Sequence, residues 1–558
     1  MTDINDNDSS IIDKKLLYIN DNNNGSYNGQ ITYNLQSLAN TSNYLNFQEA
    51  YLEIPFVVSM KVNADINLDA DFGVTLDKNI MKMVTIKDGF HQIIDNVQLS
   101  VGGRIIHQEH KFNNVHSYYK LLMTCSQDYI NKNASNYGMY VDTIDRKEYG
   151  DSALNYVPAE TFLNSNSSSV EKRNRELLHS QSLNYGYVST GREIQAMNID
   201  GAKSTGCSFY ERIGNRETTS TNTYYWVYFC TIPLRDIADY FKNVPLTRSS
   251  DMSLVITYNS CNVEFVSRML KTQNAAPGPP IVIDTYTTTI VNQKISQISG
   301  NTCSYTITIN APIQPLTANF PPAVGNTSDI TLSFQNNIGG TSHGRPTGMA
   351  FNNTRLYVPS YKLNPERSLE LSSISQNIVE YNDIFTFSII DKQPAEIIRE
   401  VVSTGIVNPQ YIMIIPFYAK NTNRNSEWQN CFDTAPATSS NIALDFQIEL
   451  AGENIFKSDI NYNFSMYNDQ IATILALNKN IDNQKSSGVL TKYLWEKSHR
   501  CYIADLSRRN RSDDLVAKSI TLSCKNLGSG DSGRVSLLIF VAYKRSIKLN
   551  GATGLIED

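Results

Sequence analysis

Residues 95–108 read DNVQLSVGGRIIHQ. Val97, Leu99 and Val101 alternate with polar residues, the two glycines interrupt, and apolar character resumes at Ile105-Ile106. Alternation with period two is the mark of a strand with one buried face. A two-residue Gly-Gly joint between two such runs predicts a β-hairpin, because a tight hairpin turn demands positive φ angles that glycine adopts cheaply. A second run, Phe446-Gln-Ile-Glu-Leu-Ala-Gly-Glu-Asn-Ile455, lies over Val97–Ile106 at a shift of 349. Gln98 meets Gln447, Gly103 meets Gly452, Ile106 meets Ile455, and further on Tyr118 meets Tyr467. At a shift of 283, Met252–Ile256 (MSLVI) lies over Val535–Ile539 (VSLLI). The first half carries the extra residues, and the polar stretch 129–222 falls there. Two similar β units, one with a large surface insertion, account for both matches.

Outward from the hairpin, strands are expected at Tyr51–Val62, Tyr224–Cys230, Met252–Tyr258, Ser304–Asn310, Thr354–Val358, Tyr411–Tyr418, Ile442–Leu450, Ser519–Ser523 and Val535–Tyr543, where β-branched and aromatic residues cluster between turn formers. Helical spacing is read in short stretches, 112–125 and 233–244, the latter bracketed by Pro233 and Pro245, and few helices longer than three turns are expected. Residues 129–222, rich in Asn, Ser, Tyr and Gly, are too long for an ordinary connection and read as a surface excursion. The expected organisation is all-β: a flexible N-terminal arm over 1–30, a first unit over 31–268 with its insertion at about 129–222, a Pro-rich linker over 269–300 and a second unit over 301–558. Units of this size with long loops suggest sandwiches or jelly rolls, which protect strand edges by pairing sheets.

Composition limits function. The chain has 558 residues, 41% hydrophobic and 18% charged, enough apolar surface to form large cores and too much for a disordered chain. Asn makes up roughly a tenth and there are 32 Tyr, which favours strands and turns. The net charge of -6 gives no basic footprint for wrapping nucleic acid, and Asp3, Asp6, Asp8, Asp13 and Asp21 make the first thirty residues acidic. The opening MTDINDNDSS has no apolar core of a secretory leader, and the longest apolar runs are too short to span a bilayer, so a soluble product made inside the cell is expected. Cys125, Cys207, Cys230, Cys261, Cys303, Cys431, Cys501 and Cys524 are widely scattered with no C-x-x-C, and read as small buried apolar groups.

Candidate catalytic and metal motifs fail their context tests. Gly528-Ser-Gly530-Asp531-Ser532-Gly533 matches a dinucleotide pattern but precedes a strongly β run instead of a helix; as Gly-Asp-Ser-Gly it resembles a serine-protease signature, with Arg534 where a second glycine belongs. It reads as a hairpin loop. His107, Glu109, His110 and His116 are close in sequence but follow a hairpin, where helical ligand spacing does not apply, and have no Cys nearby, so they read as surface polar residues. Asp65, Asp69 and Asp71 lack the glycine and distal glutamate of a calcium loop. The basic groups Arg173/Arg175 and Arg508/Arg509/Arg511 are isolated triplets, read as solvated. No catalytic, cofactor or metal site is expected, and the chain reads as a structural or interaction protein, not an enzyme.

Three stretches carry a family resemblance. DNVQLSVGGRIIHQ followed by FNNVHSYYKLLMT (Phe112–Thr124) resembles the first jelly roll of double jelly-roll major capsid proteins. TIPLRDIADYFKNVPLTRSSDMSLVITYNS (Thr231–Ser260) resembles the segment where that jelly roll closes, and RLYVPSYKLNPERSLEL (Arg355–Leu371) with IVEYNDI (Ile378–Ile384) resembles a stretch of polinton-like virus and virophage-like capsid proteins. The resemblance implies two consecutive eight-strand jelly rolls, homotrimers forming pseudo-hexameric capsomers, and an icosahedral shell around double-stranded DNA. It implies neighbouring capsomers and penton and minor capsid proteins as partners, no sequence-specific nucleic acid, and a place in the virion. The alternative is a β-sandwich carbohydrate-binding or adhesin protein of a virion fibre, with Trp428 and the Tyr-rich insertion as its aromatic surface; a hydrolase using Ser532 is a third reading.

Overall fold

The computed structural model describes residues 10–23, 30–38, 43–62, 89–107, 111–137, 209–211, 222–248, 251–258, 262–263, 271–273, 281–283, 293–294, 303–311, 328–338, 354–374, 376–418, 438–439, 441–477, 488–497, 499–507, 516–529, 533–550 and 556–557. In chain order the principal elements of the first part are strands β1 (Ile11–Asn20), β2 (Gln30–Asn34), β3 (Tyr51–Val62), β4 (Ile94–Val101) and β5 (Arg104–His107), helices α1 (Asn113–Thr124) and α2 (Gln127–Tyr137), and strand β6 (Asn222–Pro233). Two single helical turns, α3 (Leu234–Ile237) and α4 (Tyr240–Asn243), lead to β7 (Met252–Tyr258), β8 (Cys303–Ala311), β9 (Ser328–Ile338) and β10 (Arg355–Leu363). Helix α5 (Pro365–Ser373) precedes β11 (Gln376–Lys392), β12 (Ile397–Val407), β13 (Pro409–Tyr418), β14 (Leu444–Leu450) and β15 (Glu453–Asn454). Helices α6 (Phe464–Leu477) and α7 (Lys492–Lys497) are followed by β16 (Tyr502–Asp505), β17 (Ala517–Lys525), β18 (Val535–Asn550) and the short β19 (Ile556–Glu557).

Strands β11 to β18 form two antiparallel sheets, β11-β18-β13-β16 and β12-β17-β14-β15. Counted along the chain, this is the order first-eighth-third-sixth and second-seventh-fourth-fifth, the strand order of a jelly roll. The first part repeats it. One sheet runs β1-β10-β3-β6 and the other β2-β7-β4-β5, so β10 is the eighth strand of the first jelly roll. The hairpin β8–β9 is inserted ahead of it and pairs with β3 beyond the point where β10 leaves. The chain is a double jelly roll.

Two expectations change. Residues 11–20, expected within a flexible arm, form β1 and pair along their length with Leu363 to Arg355. Ile11, Leu17 and Ile19 alternate with exposed residues, a half-buried strand pattern obscured by the flanking Asp and Asn. Strand β10, expected in the second unit beyond a linker at 269–300, lies instead between β1 and β3. Proline content marked a boundary in the chain there, while the hydrogen bonding that closes the first roll comes later.

The repeated hairpins are real counterparts. Gly102 and Gly103 have φ of 56° and 77°, and Ala451 and Gly452 have 54° and 85°. Both are two-residue turns with left-handed central residues, matched to the twist of the flanking strands. Each is followed by a helix, α1 or α6, and the aligned Tyr118 and Tyr467 are both buried. The second alignment does not hold: β7 sits beside β4 as β17 sits beside β14, so the counterpart of β7 is β17, and β18 corresponds to β10. Similar VxLxI alternation on two different strands produced that match.

Candidate functional site: the seam between the two jelly rolls

Helix α1 begins after Phe112, whose left-handed φ of 65° turns the chain sharply and whose backbone N–H donates to Asp95 Oδ1 at 3.0 Å. All of its residues from Asn113 to Met123 are buried, on polar and apolar positions alike. A helix buried all round must be covered on both sides. On one side it meets its own unit: Asn113 donates to the Ile237 carbonyl at 3.0 Å, and Lys120 pairs with Asp239, which Lys242 also approaches at 3.3 Å. Burial would raise the Asp239 carboxyl, but the two lysines outweigh it and hold the pKa below the usual carboxylate range. On the other side α1 joins the second unit's core, with Val115, Tyr118, Tyr119 and Leu122 packed in one cluster with strands β13, β16 and β18.

The contacts across this seam are specific. The Tyr118 hydroxyl and His499 Nε2 are 2.7 Å apart, and the His116 ring lies 5.2 Å from that of Phe540. The Val489 N–H donates to the Leu122 carbonyl at 2.8 Å. Gly488, with φ of +68°, sits so close that a Cβ there would fall 2.2 Å from the same oxygen.

The end of β5 makes a second, polar contact. His107 Nδ1 lies 3.0 Å from Asp383 Oδ1; the other carboxylate oxygen accepts from Arg545 at 2.9 Å and from the Tyr543 hydroxyl at 3.1 Å. The Ile106 carbonyl accepts from Arg545 at 2.9 Å and from the Tyr381 hydroxyl. Asp383 is wholly buried, which by itself would raise its pKa; hydrogen bonds and charge from His107 and Arg545 outweigh that and hold the carboxyl ionised well below its ordinary range. A buried carboxylate is tolerable only when its lone pairs are filled, and here partners from both jelly rolls fill them. Nearby, Asn243 donates to the Glu380 carbonyl at 2.8 Å, and Tyr240 meets Tyr381 edge to face with centroids 5.6 Å apart.

This arrangement corrects the reading of His107 and His116 as surface polar residues, since both are buried where the first unit meets the second. Glu109, His110, Asp65, Asp69, Asp71, the arginine groups at 173–175 and 508–511, Trp428 and Ser532 lie outside the described residues. His91, Asp383, His499 and Arg545 were not singled out from the sequence. The available signal was Asp383 itself, an acidic residue inside the otherwise strand-like IVEYNDI. Among the described residues no group of three or more His, Cys, Asp or Glu is placed to hold a metal ion, and no helix is long and apolar enough to cross a membrane. What the arrangement does chemically is fasten: it fixes one jelly roll against the other through buried hydrogen bonds and aromatic packing.

No protein-family model and no curated protein matches the chain. Solved structures align with most of the chain at low identity. The Sputnik virophage structure aligns over 99% of this chain and 89% of its own at 8% identity, with a TM-score of 0.41. The mavirus major capsid protein aligns over 97% and 89% at 11% identity with a TM-score of 0.39, and the Faustovirus major capsid protein over 100% and 93% at 9% identity with a TM-score of 0.42. The assignment to the double jelly-roll fold stands on the chain's own strand order, in which both units close with the same two sheets.

Proposed function

We propose that the chain is a structural major capsid protein of a double-stranded DNA virus, a wall component that works by assembling with copies of itself. The observation that carries this reading is the pair of jelly rolls, each with strand order first-eighth-third-sixth over second-seventh-fourth-fifth, joined through a buried seam. A seam of this kind holds two similar halves together, so contacts made by one half can be repeated by the other. The sequence resemblance of Asp95–Thr124, Thr231–Ser260 and Arg355–Ile384 to capsid proteins of the same architecture points the same way, as do the low charged fraction and the abundance of Tyr, which suit desolvated protein interfaces. On this reading three copies form a pseudo-hexameric capsomer, and capsomers tile an icosahedral shell with penton and minor proteins. The protein's place is the virion.

The test is electron microscopy of the purified protein. Pseudo-hexagonal particles or closed shells support the reading. Single featureless particles of one chain at micromolar concentration overturn it.

A further inference from the structure

Lysine is rarely buried, and a buried one needs a carboxylate beside it. The Lys120 side chain, on the helix that also joins the second roll's core, is 11% exposed. Its Nζ donates to Asp239 Oδ1, on a side chain 15% exposed. Asp239 opens α4, a position where an aspartate ordinarily accepts from the backbone N–H groups of its own helix. It makes no such cap and reaches to Lys120 instead. Lys242, one turn further on, stands 3.3 Å from the same Oδ1. Asp236, three residues earlier in α3, lies within electrostatic reach of Lys120, Lys242 and Asp239. Each charge taken from water in this cluster carries a desolvation penalty. An amide between amine and carboxyl carries neither charge.

We propose that Lys120 and Asp239 condense into an intramolecular isopeptide bond, Nζ to Cγ, which ties the seam helix α1 covalently to the turn that follows strand β6. The ion pair is the reactant: the two lysines hold Asp239 ionised, while burial lowers the Lys120 pKa towards the amine. Burial also raises the Asp236 carboxyl, which suits it to take a proton and return it. Asp236 takes one proton from the Lys120 ammonium and frees the Nζ lone pair. That pair forms the bond to Cγ, and the negative charge gathering on Oδ1 is met by the Lys242 ammonium beside it. Oδ2 leaves as water with two of the three Nζ protons, passed on by Asp236, and the third stays on the amide nitrogen. No oxidant, reductant or further reactant enters. Holding amine and carboxyl in contact replaces the encounter that makes this reaction slow in water, and the loss of two buried charges drives it forward. The bond joins residues 119 apart in the chain, and a cross-link over so long a loop restricts the unfolded chain as a disulfide does. It lies within one chain and does not depend on the assembly reading.

The test is mass spectrometry of the denatured full-length protein, intact and after trypsin. The expected intact mass is below that of the sequence by one water. The expected digest contains a branched peptide joining the Lys120 segment to the Asp239 segment, with no cleavage after Lys120. Lys120→Arg keeps the positive charge but has no Nζ amine, and it is expected at the full mass of its own sequence, as is Asp239→Ala. Asp236→Asn is expected to slow formation of the branched peptide about a hundredfold. A wild-type protein at full sequence mass, cleaved by trypsin after Lys120, overturns the proposal, and so does a water loss that maps to any other pair of residues. An Asp236→Asn variant that condenses as fast as the wild type overturns the proton-carrying step.

Discussion

Replacing Asp383 by Ala removes the one carboxylate around which the polar end of the seam is organised. Three donors lose their acceptor at once: the guanidinium of Arg545, the Tyr543 hydroxyl and Nδ1 of His107. Taking one partner from a buried ion pair costs about 3–5 kcal/mol, chiefly because the other charge is left without compensation. The Arg545 side chain is 32% exposed and can turn partly to water, so the lower end, about 3 kcal/mol, applies. With a urea slope of about 3 kcal/mol per molar, the unfolding midpoint falls by about 1 M. Equilibrium urea unfolding followed by tryptophan fluorescence reads this directly. Substituting Asp383, His107 and Arg545 together by apolar residues of similar volume is expected to recover most of the loss, since desolvation is then no longer required of any of them. A midpoint shift below about 0.2 M for Asp383→Ala, equivalent to about 0.6 kcal/mol, refutes the reasoning that this node holds the two rolls together. The pH dependence has a fixed sign. Asp383 is held below its ordinary pKa, so its contribution is full above the ordinary carboxylate range near 3.8 and is lost as the pH falls further.

His91 gives a dependence at milder pH. It is buried against Tyr118, its Nε2 has no hydrogen-bond partner among the described residues, and burial lowers its pKa to about 3. The folded state therefore resists its protonation: the stability this provides is complete above the ordinary histidine value near 6.5 and declines as the pH drops towards 3, by about 2 kcal/mol at pH 5. His91→Gln is expected to flatten the stability profile between pH 7 and pH 5 in urea titrations; an unchanged slope contradicts this. Gly488→Ala places a methyl group on the Leu122 carbonyl in a left-handed backbone position, and a loss of at least about 2 kcal/mol is expected, with proteolysis between the rolls as a second readout. Deleting residues 1–21 strips β1 from β10 and leaves an edge unpaired, so a fall in thermal midpoint of several degrees is expected by calorimetry, where loss of a loose arm would change nothing.

Local chemistry was readable where one strand or turn decides it. The hairpin at 94–107, strand 51–62 and the helix after Phe112 follow from alternation, paired glycines and spacing within their own residues. The 233–244 stretch, read as one helix, breaks into two turns at Ala238, whose backbone is extended at φ −148° and ψ 126°. Helix α6 escaped notice because Phe464, Tyr467, Ile471 and Ile474 are helically spaced but sit among Asn, Ser and Thr, residues weighed as turn formers. Long-range pairing was not readable. Nothing in KKLLYIN announces that it will lie beside LYVPSY more than three hundred residues later, and strand β10 therefore fell on the wrong side of the expected boundary. The seam was hidden for the same reason: His107 and Asp383 look like ordinary polar residues until the fold brings them within 3.0 Å.

The mass of the purified chain in solution bears most directly on the whole account. Sedimentation velocity at micromolar concentration is expected to show a closed species of three times 62.7 kDa, independent of dilution over a tenfold range. A single boundary at 62.7 kDa, at every concentration tested, contradicts the reading of the chain as a wall component that assembles with copies of itself.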